Sequence, residues 1–173
     1  MTTHERSGSG EVADLLETLA THRGFLRYTV RDLTDEQAAR RTTVSELCLG
    51  GLIKHVASVE RGWVDFIVEG PSALGGGGPE ALAEHMGGFR MTPGDTLDAL
   101  LADYDEVASR TTDVLTGLVD LDQSQPLPEA PWFAPGARWS ARRALLHVIA
   151  ETSQHAGHAD IIREALDGAK TMG

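Results

Sequence analysis

Cysteine is nearly absent from this sequence. Cys48 stands alone, so no internal disulfide can form and no cysteine-based zinc site can be built. A small buried apolar role suits it. Aromatic side chains make up only 5% of the chain, and the apolar mass rests on Leu and Ala, a balance that favours helices. No run approaches the roughly 18 apolar residues of a membrane span, and the opening MTTHERSGSGE has neither an apolar signal core nor a basic start. Basic residues are outnumbered: 15 Lys and Arg against 26 Asp and Glu give a formal net charge of -11. That balance lacks the clustered cations that a nucleic-acid backbone or an anionic membrane surface requires. The expectation is a soluble, cytoplasmic protein whose 173 residues can bury a full core as a single domain.

What the chain does have is helical periodicity. After a flexible polar tail over residues 1–10, Val12, Leu15, Leu16, Leu19, Leu26 and Val30 predict a first helix from Glu11 to about Arg31. Thr34, with Gln37 three residues on, reads as a capping box opening a short connector helix. A second long helix is predicted from Ser45 to about Glu69, where Gly70-Pro71 stops it. Its inner line is Leu52, Val56, Val59, Trp63, Phe66 and Ile67, with His55 at the margin. Gly50, Gly51 and Gly62 each weaken that helix by about 1 kcal/mol relative to alanine, so a close helix contact is expected there.

Residues 70–95 read as a long glycine-rich loop with at most a helical turn near Leu82. Its GGGG run at 75–78 lacks the lysine and the preceding strand of a phosphate-binding loop. A third long helix follows Pro93-Gly94, from Thr96 to about Leu118, with Leu97, Leu100, Leu101, Tyr104, Val107, Ala108 and Leu115 inward. Pro126, Pro128, Pro131 and Pro135 make the loop at 120–139 irregular. Ser140 then caps a fourth helix that ends at Asp167-Gly168. No strand alternation and no internal repeat is visible. Four long amphipathic helices with two long connections define an all-α four-helix bundle, and such connections permit parallel neighbours.

The chemistry concentrates in the fourth helix. His147, Glu151, His155 and His158 follow one another at offsets of four, four and three residues, which keeps them on one flank. Beside them runs an apolar stripe of Leu145, Val148, Ile149, Thr152, Ala156, Ala159 and Leu166. The polar flank therefore borders the core, where unpartnered imidazoles and carboxylates are costly. A shared metal ion would supply the partners.

Glu151 and His155 stand i and i+4 and can reach one ion together. A third ligand must come from another helix, and His55 is the candidate; His22 lies on a more exposed flank. Two imidazoles and a carboxylate suit Zn²⁺ and tolerate Ni²⁺, Fe²⁺ or Mn²⁺, and three protein ligands leave a position open. His147 alone has a structural role. His158 is a further ligand, a partner behind a ligand, or an acid/base group for a substrate proton. Trp63, Phe66, Trp132, Phe133 and Trp139 can wall a substrate pocket or simply fill core. Arg143 and Arg163 flank the stripe and can hold a substrate carboxylate. His4 and His85 fall in loops. There is no His-Glu-x-x-His motif and no pair of Glu-x-x-His motifs, so the site is mononuclear.

GLIKHVASVERGW (Gly51 to Trp63) and ETSQHAGHADIIREALDG (Glu151 to Gly168) resemble the DinB-like superfamily of metal-binding four-helix proteins. The resemblance is to its branch of mycothiol S-transferases and mycothiol-dependent maleylpyruvate isomerases, and it spans nearly the whole chain. Many relatives hold the metal with three histidines, whereas the isomerase uses His, Glu and His. The resemblance places these ligands on His55, Glu151 and His155, and gives His158 a supporting or catalytic role. It implies a metal-dependent transferase that conjugates mycothiol to an electrophilic small molecule, acting in detoxification, and a homodimer. The isomerase's additional C-terminal domain has no counterpart here, which favours a stand-alone transferase. Two other readings use the same residues: a hydrolase or lyase with metal-bound water, and a non-catalytic, stress-associated metal-binding protein with a closed site.

Overall fold

Side-chain caps decide where most of the helices begin. The computed structural model describes residues 5–75 and 87–171. Its helices are α1 (Glu5–Tyr28), α2 (Asp35–Ala39), α3 (Leu49–Glu69), α4 (Leu97–Gly117) and α5 (Ala141–Asp167), with a 3₁₀ turn at Pro71–Leu74. Thr34 accepts from the Gln37 N–H while the Gln37 side chain accepts from the Thr34 N–H, the predicted capping box of α2. Thr96 caps α4 through the Ala99 N–H and Ser140 caps α5 through the Arg143 N–H. At the far end of α5, Gly168 takes a left-handed φ of 79° and returns its N–H to the Glu164 carbonyl, a conformation that glycine adopts without strain.

Three expectations are corrected. The first helix starts at Glu5, so part of the expected tail is helical. The helix expected from Ser45 starts at Leu49 after an uncapped Cys48. There Thr43 Oγ1 accepts from the Ser45 N–H and Ser45 Oγ from the Leu47 N–H, local bonds that compete with helix. The proline-rich crossing carries a short antiparallel ribbon, β1 (Ser124–Pro126) with β2 (Arg138–Ser140), in the register Ser124↔Ser140, Gln125↔Trp139 and Pro126↔Arg138. Three residues per strand are too few for an alternation to show. The GGGG run beyond Gly75, the turn expected near Leu82, His85 and His4 lie outside the described residues.

The long helices α1, α3, α4 and α5 form an all-α bundle. Arg61 pairs with Asp103 and Asp65 with Arg110, so α3 and α4 run parallel. Leu19 of α1 shares an apolar cluster with Ile67 and Leu145, while Leu26 shares another with Leu52 and Ile162. Hence α1 runs with α5 and against α3, giving an up-down-down-up bundle. Between the two apolar clusters lies a polar layer: Arg23 Nε donates to Glu60 Oε2 at 3.0 Å, and Thr111 Oγ1 donates to Glu60 Oε1. Glu60 is fully buried. No helix among the described residues is long and apolar enough to cross a membrane.

The close contact expected at the glycines of α3 exists at Gly50 and Gly51, where its partner is a loop, and not at Gly62, where a Cβ would meet only Leu74 at 3.8 Å. A Cβ on Gly51 would collide with the Phe89 carbonyl and stand 2.8 Å from the Arg90 nitrogen; one on Gly50 would collide with Met91. Residues 89–91 thus lie directly against the first turn of α3.

Candidate metal centre

Antiparallel α3 and α5 bring His55 against the polar flank of α5. His155 Nε2 stands 3.4 Å from Glu151 Oε2, and His55 Nε2 stands 3.9 Å from the same oxygen. One ligand atom from each of the three lies within 4.8 Å of the others. A tetrahedral ion with bonds of about 2.1 Å separates its ligands by roughly 3.4 Å, so the three donors need to close up only slightly. The donor chemistry and the spacing both fit a divalent metal. His55 and His155 are buried, while the Glu151 side chain keeps 27% of its exposure, which leaves a solvent approach on the carboxylate side.

The field around these groups favours a charged ligand set. The ring N–H of His155, and next that of His55, hold the Glu151 carboxyl well below the usual carboxylate range, against the burial that opposes this. Burial pushes the His147 imidazole down, with Glu151 opposing. His147 Nε2 lies 3.8 Å from Glu151 Oε1, the oxygen turned away from His55. This residue, read from the sequence as structural only, therefore bears on the carboxylate's orientation. Its ring packs edge-on against Trp63 and Trp139, with centroids at 5.0 and 5.4 Å.

His158 sits behind the ligand set. Its Nδ1 is 3.3 Å from His155 Nδ1, on the ring edge of His155 away from the nitrogen that meets Glu151. Among the described residues, the potential metal-holding group comprises His55, Glu151 and His155 without His158.

Trp63 is buried, stacked on Trp139 at 4.6 Å and edge-on to Phe66. Arg143 is exposed, with its guanidinium 4.8 Å from the Trp139 ring centre. Trp132 is exposed and Phe133 half-buried, the latter edge-on to Trp139. The structure places Arg163 elsewhere. It is buried, its Nη1 donates to the carbonyls of Thr29 and Arg31, and its Nε donates to Asp167, so it ties α5 to the end of α1. The expectation that it holds substrate is corrected accordingly. His22 lies against Phe25 on α1 and takes no part in the cluster.

Phe89 was not singled out from the sequence. Its ring stacks on His55 with centroids 3.8 Å apart and planes 23° apart, and lies 5.8 Å from the His155 ring. The pair of glycines in α3 was the only trace of it, since they mark where another backbone comes close.

Fold and site together define a helical-bundle protein with a His/Glu/His group suited to one metal ion. The family model described as Mycothiol-S-transferase matches residues 14–168, and the chain belongs to that family, within the DinB-like superfamily. No protein of curated function matches the chain. Among solved structures it is similar to one titled "Crystal structure of the conserved protein of locus from Enterococcus faecalis". That similarity has 16% identity and a TM-score of 0.61, covering 90% of this chain and 96% of the other. At that identity it speaks for the fold alone.

Proposed function

We propose that this protein is a metal-dependent thiol S-transferase that joins mycothiol, through its sulfur, to an electrophilic carbon of a small molecule. The observation that carries the reading is the convergence of His55, Glu151 and His155 from two helices, in a chain of the mycothiol-S-transferase family. A divalent metal held there, zinc foremost with nickel, iron or manganese compatible, supplies the Lewis acidity that favours a deprotonated thiol at neutral pH.

The chain's own residues supply the rest. His55 and His155 present Nε2 toward Glu151 from buried positions, so the donors are organised beforehand. When His155 carries its proton on Nδ1, His158 accepts it, which fixes the tautomer that leaves Nε2 free to bind. His147 steadies the second carboxylate oxygen. Trp63 props Trp139 from behind, and Arg143 beside Trp139 offers a cation to an anionic group of the thiol or the electrophile. The same reading carries a cytoplasmic location and a homodimer, the latter open to sedimentation analysis.

The test is metal analysis of protein purified without chelator, beside His55→Ala, followed by conjugation assays with and without mycothiol. About one metal per chain, lost in the variant, with turnover that requires the thiol, is the expected result. Turnover of an ester or halide without any thiol would favour the hydrolase reading, and metal binding with neither activity would favour the non-catalytic one.

A further inference from the structure

The segment 87–95 is fastened to the start of α3 and to the residues just before it. The Phe89 carbonyl fills the space where a Cβ on Gly51 would stand, and it accepts the Cys48 thiol at 3.8 Å. Met91 packs over Gly50. Arg90 pairs with Glu46 at 2.5 Å, and Lys54 pairs with Asp95 at 2.8 Å. Asp95 also accepts the Thr92 N–H at 2.7 Å, which closes the segment into a turn. Gly51 and His55 stand i and i+4, on one flank of α3. A backbone seated over Gly51 therefore delivers the Phe89 ring one turn further on, onto the face of His55.

We propose that Phe89 is a positioning residue: docked over Gly50 and Gly51, it stacks on His55, sets the ring plane that aims Nε2 at Glu151, and shields that imidazole from water. The inference rests on the reading of His55, Glu151 and His155 as metal ligands. An imidazole held by an apolar wall has its side-chain torsions fixed before the metal arrives. Without the wall they must be frozen on binding, a cost equivalent to about a three- to tenfold loss of affinity. Gly51 is the second part of the device, because a Cβ there would collide with the Phe89 backbone while the substitution itself alters no ligand.

Four chains decide it: the unaltered protein, Phe89→Ala, Phe89→Leu and Gly51→Ala. Co²⁺ affinity is measured by competition with a chromophoric chelator, and the visible Co²⁺ absorption reports ligand geometry. Separately, on metal-free protein, the rate of carbethoxylation of His55 by diethylpyrocarbonate is followed by peptide mass spectrometry. Phe89→Ala and Gly51→Ala are expected to bind Co²⁺ about three- to tenfold more weakly, with an altered absorption band and several-fold faster modification of His55. Phe89→Leu, which keeps an apolar wall, is expected to recover part of each effect. Wild-type affinity and absorption in a folded Phe89→Ala chain would overturn the inference, as would unchanged His55 reactivity. Failure of the unaltered protein to bind Co²⁺ would instead overturn the metal reading; the carbethoxylation series, run without metal, then still decides whether Phe89 shields His55.

Discussion

Removing Arg23 should be among the most damaging single changes available to this bundle. The Glu60 carboxylate is 0% exposed and Arg23 only 8% exposed. Among the described residues, the hydrogen-bond partners of Glu60 are the Arg23 guanidinium and the neutral Thr111 hydroxyl. In Arg23→Ala that carboxylate stays in the core with one neutral donor. Breaking a buried pair from one side costs about 3–5 kcal/mol, a large share of the roughly 5–15 kcal/mol that holds a domain folded. For a chain of this size the melting midpoint should fall by about 10 °C. The double variant Arg23→Met/Glu60→Leu is the internal control. It removes both charges, and Thr111 keeps its bond to the Val107 carbonyl at 2.9 Å, so its stability should lie within about 1 kcal/mol of the unaltered chain. Urea unfolding followed by far-ultraviolet circular dichroism measures all three. A loss below about 1 kcal/mol in Arg23→Ala would refute the reasoning, because it would mean that the pair is hydrated. The functional link is rotational: Glu60 lies five residues beyond His55 on α3, and anchoring it helps to fix how that helix turns toward α5.

Glu151→Gln keeps the size of the side chain but removes the charge that both imidazoles favour; metal content should fall sharply while helix content by circular dichroism stays unchanged, and full metal content would exclude Glu151 as a ligand. Asp95 tests the anchoring of the 87–95 segment through pH. Lys54, and next the Thr92 N–H, hold its carboxyl at about 2, below its ordinary value. A depressed folded pKa means that the stabilisation is present above the unfolded value of about 3.9 and is lost as pH falls from there toward 2. Asp95→Asn should therefore cost about 1 kcal/mol at pH 7, after allowance for solvent screening. Urea titrations at pH 7 and pH 2 should show that difference closing at the acid end, and a pH-independent difference would assign the effect to something other than the charge.

The likeness between sequence and structure is closest where an interaction is local. Thr34 with Gln37, Ser140 and Gly168 act within four residues of themselves, so their caps were readable from spacing. The Glu151/His155 pair belongs to the same category, because an α-helix places i and i+4 side chains together wherever it sits. His55 was reachable by elimination among histidines on predicted core margins and by the family resemblance of the stretch around it, not by spacing along α5. The start of α3 was misread because Ser45 has the composition of a cap, while Thr43 and Ser45 spend their hydroxyls on turns.

By itself, then, the sequence determined the amphipathic helices, their stops, the polar flank of α5 and the acidic net charge of -11. Tertiary structure decided the rest. It set the parallel pairing of α3 with α4, which ion pairs between separate helices fix. It sent Arg163 to the carbonyls at the end of α1 and left Arg143 beside Trp139. It joined His147 to the Glu151 carboxylate and laid Phe89 on His55 across 34 residues of sequence. Periodicity registers what a residue does along its own helix, whereas these contacts depend on how separate surfaces fit, and a glycine whose missing Cβ makes room for another backbone is the faintest mark such a fit leaves in a sequence.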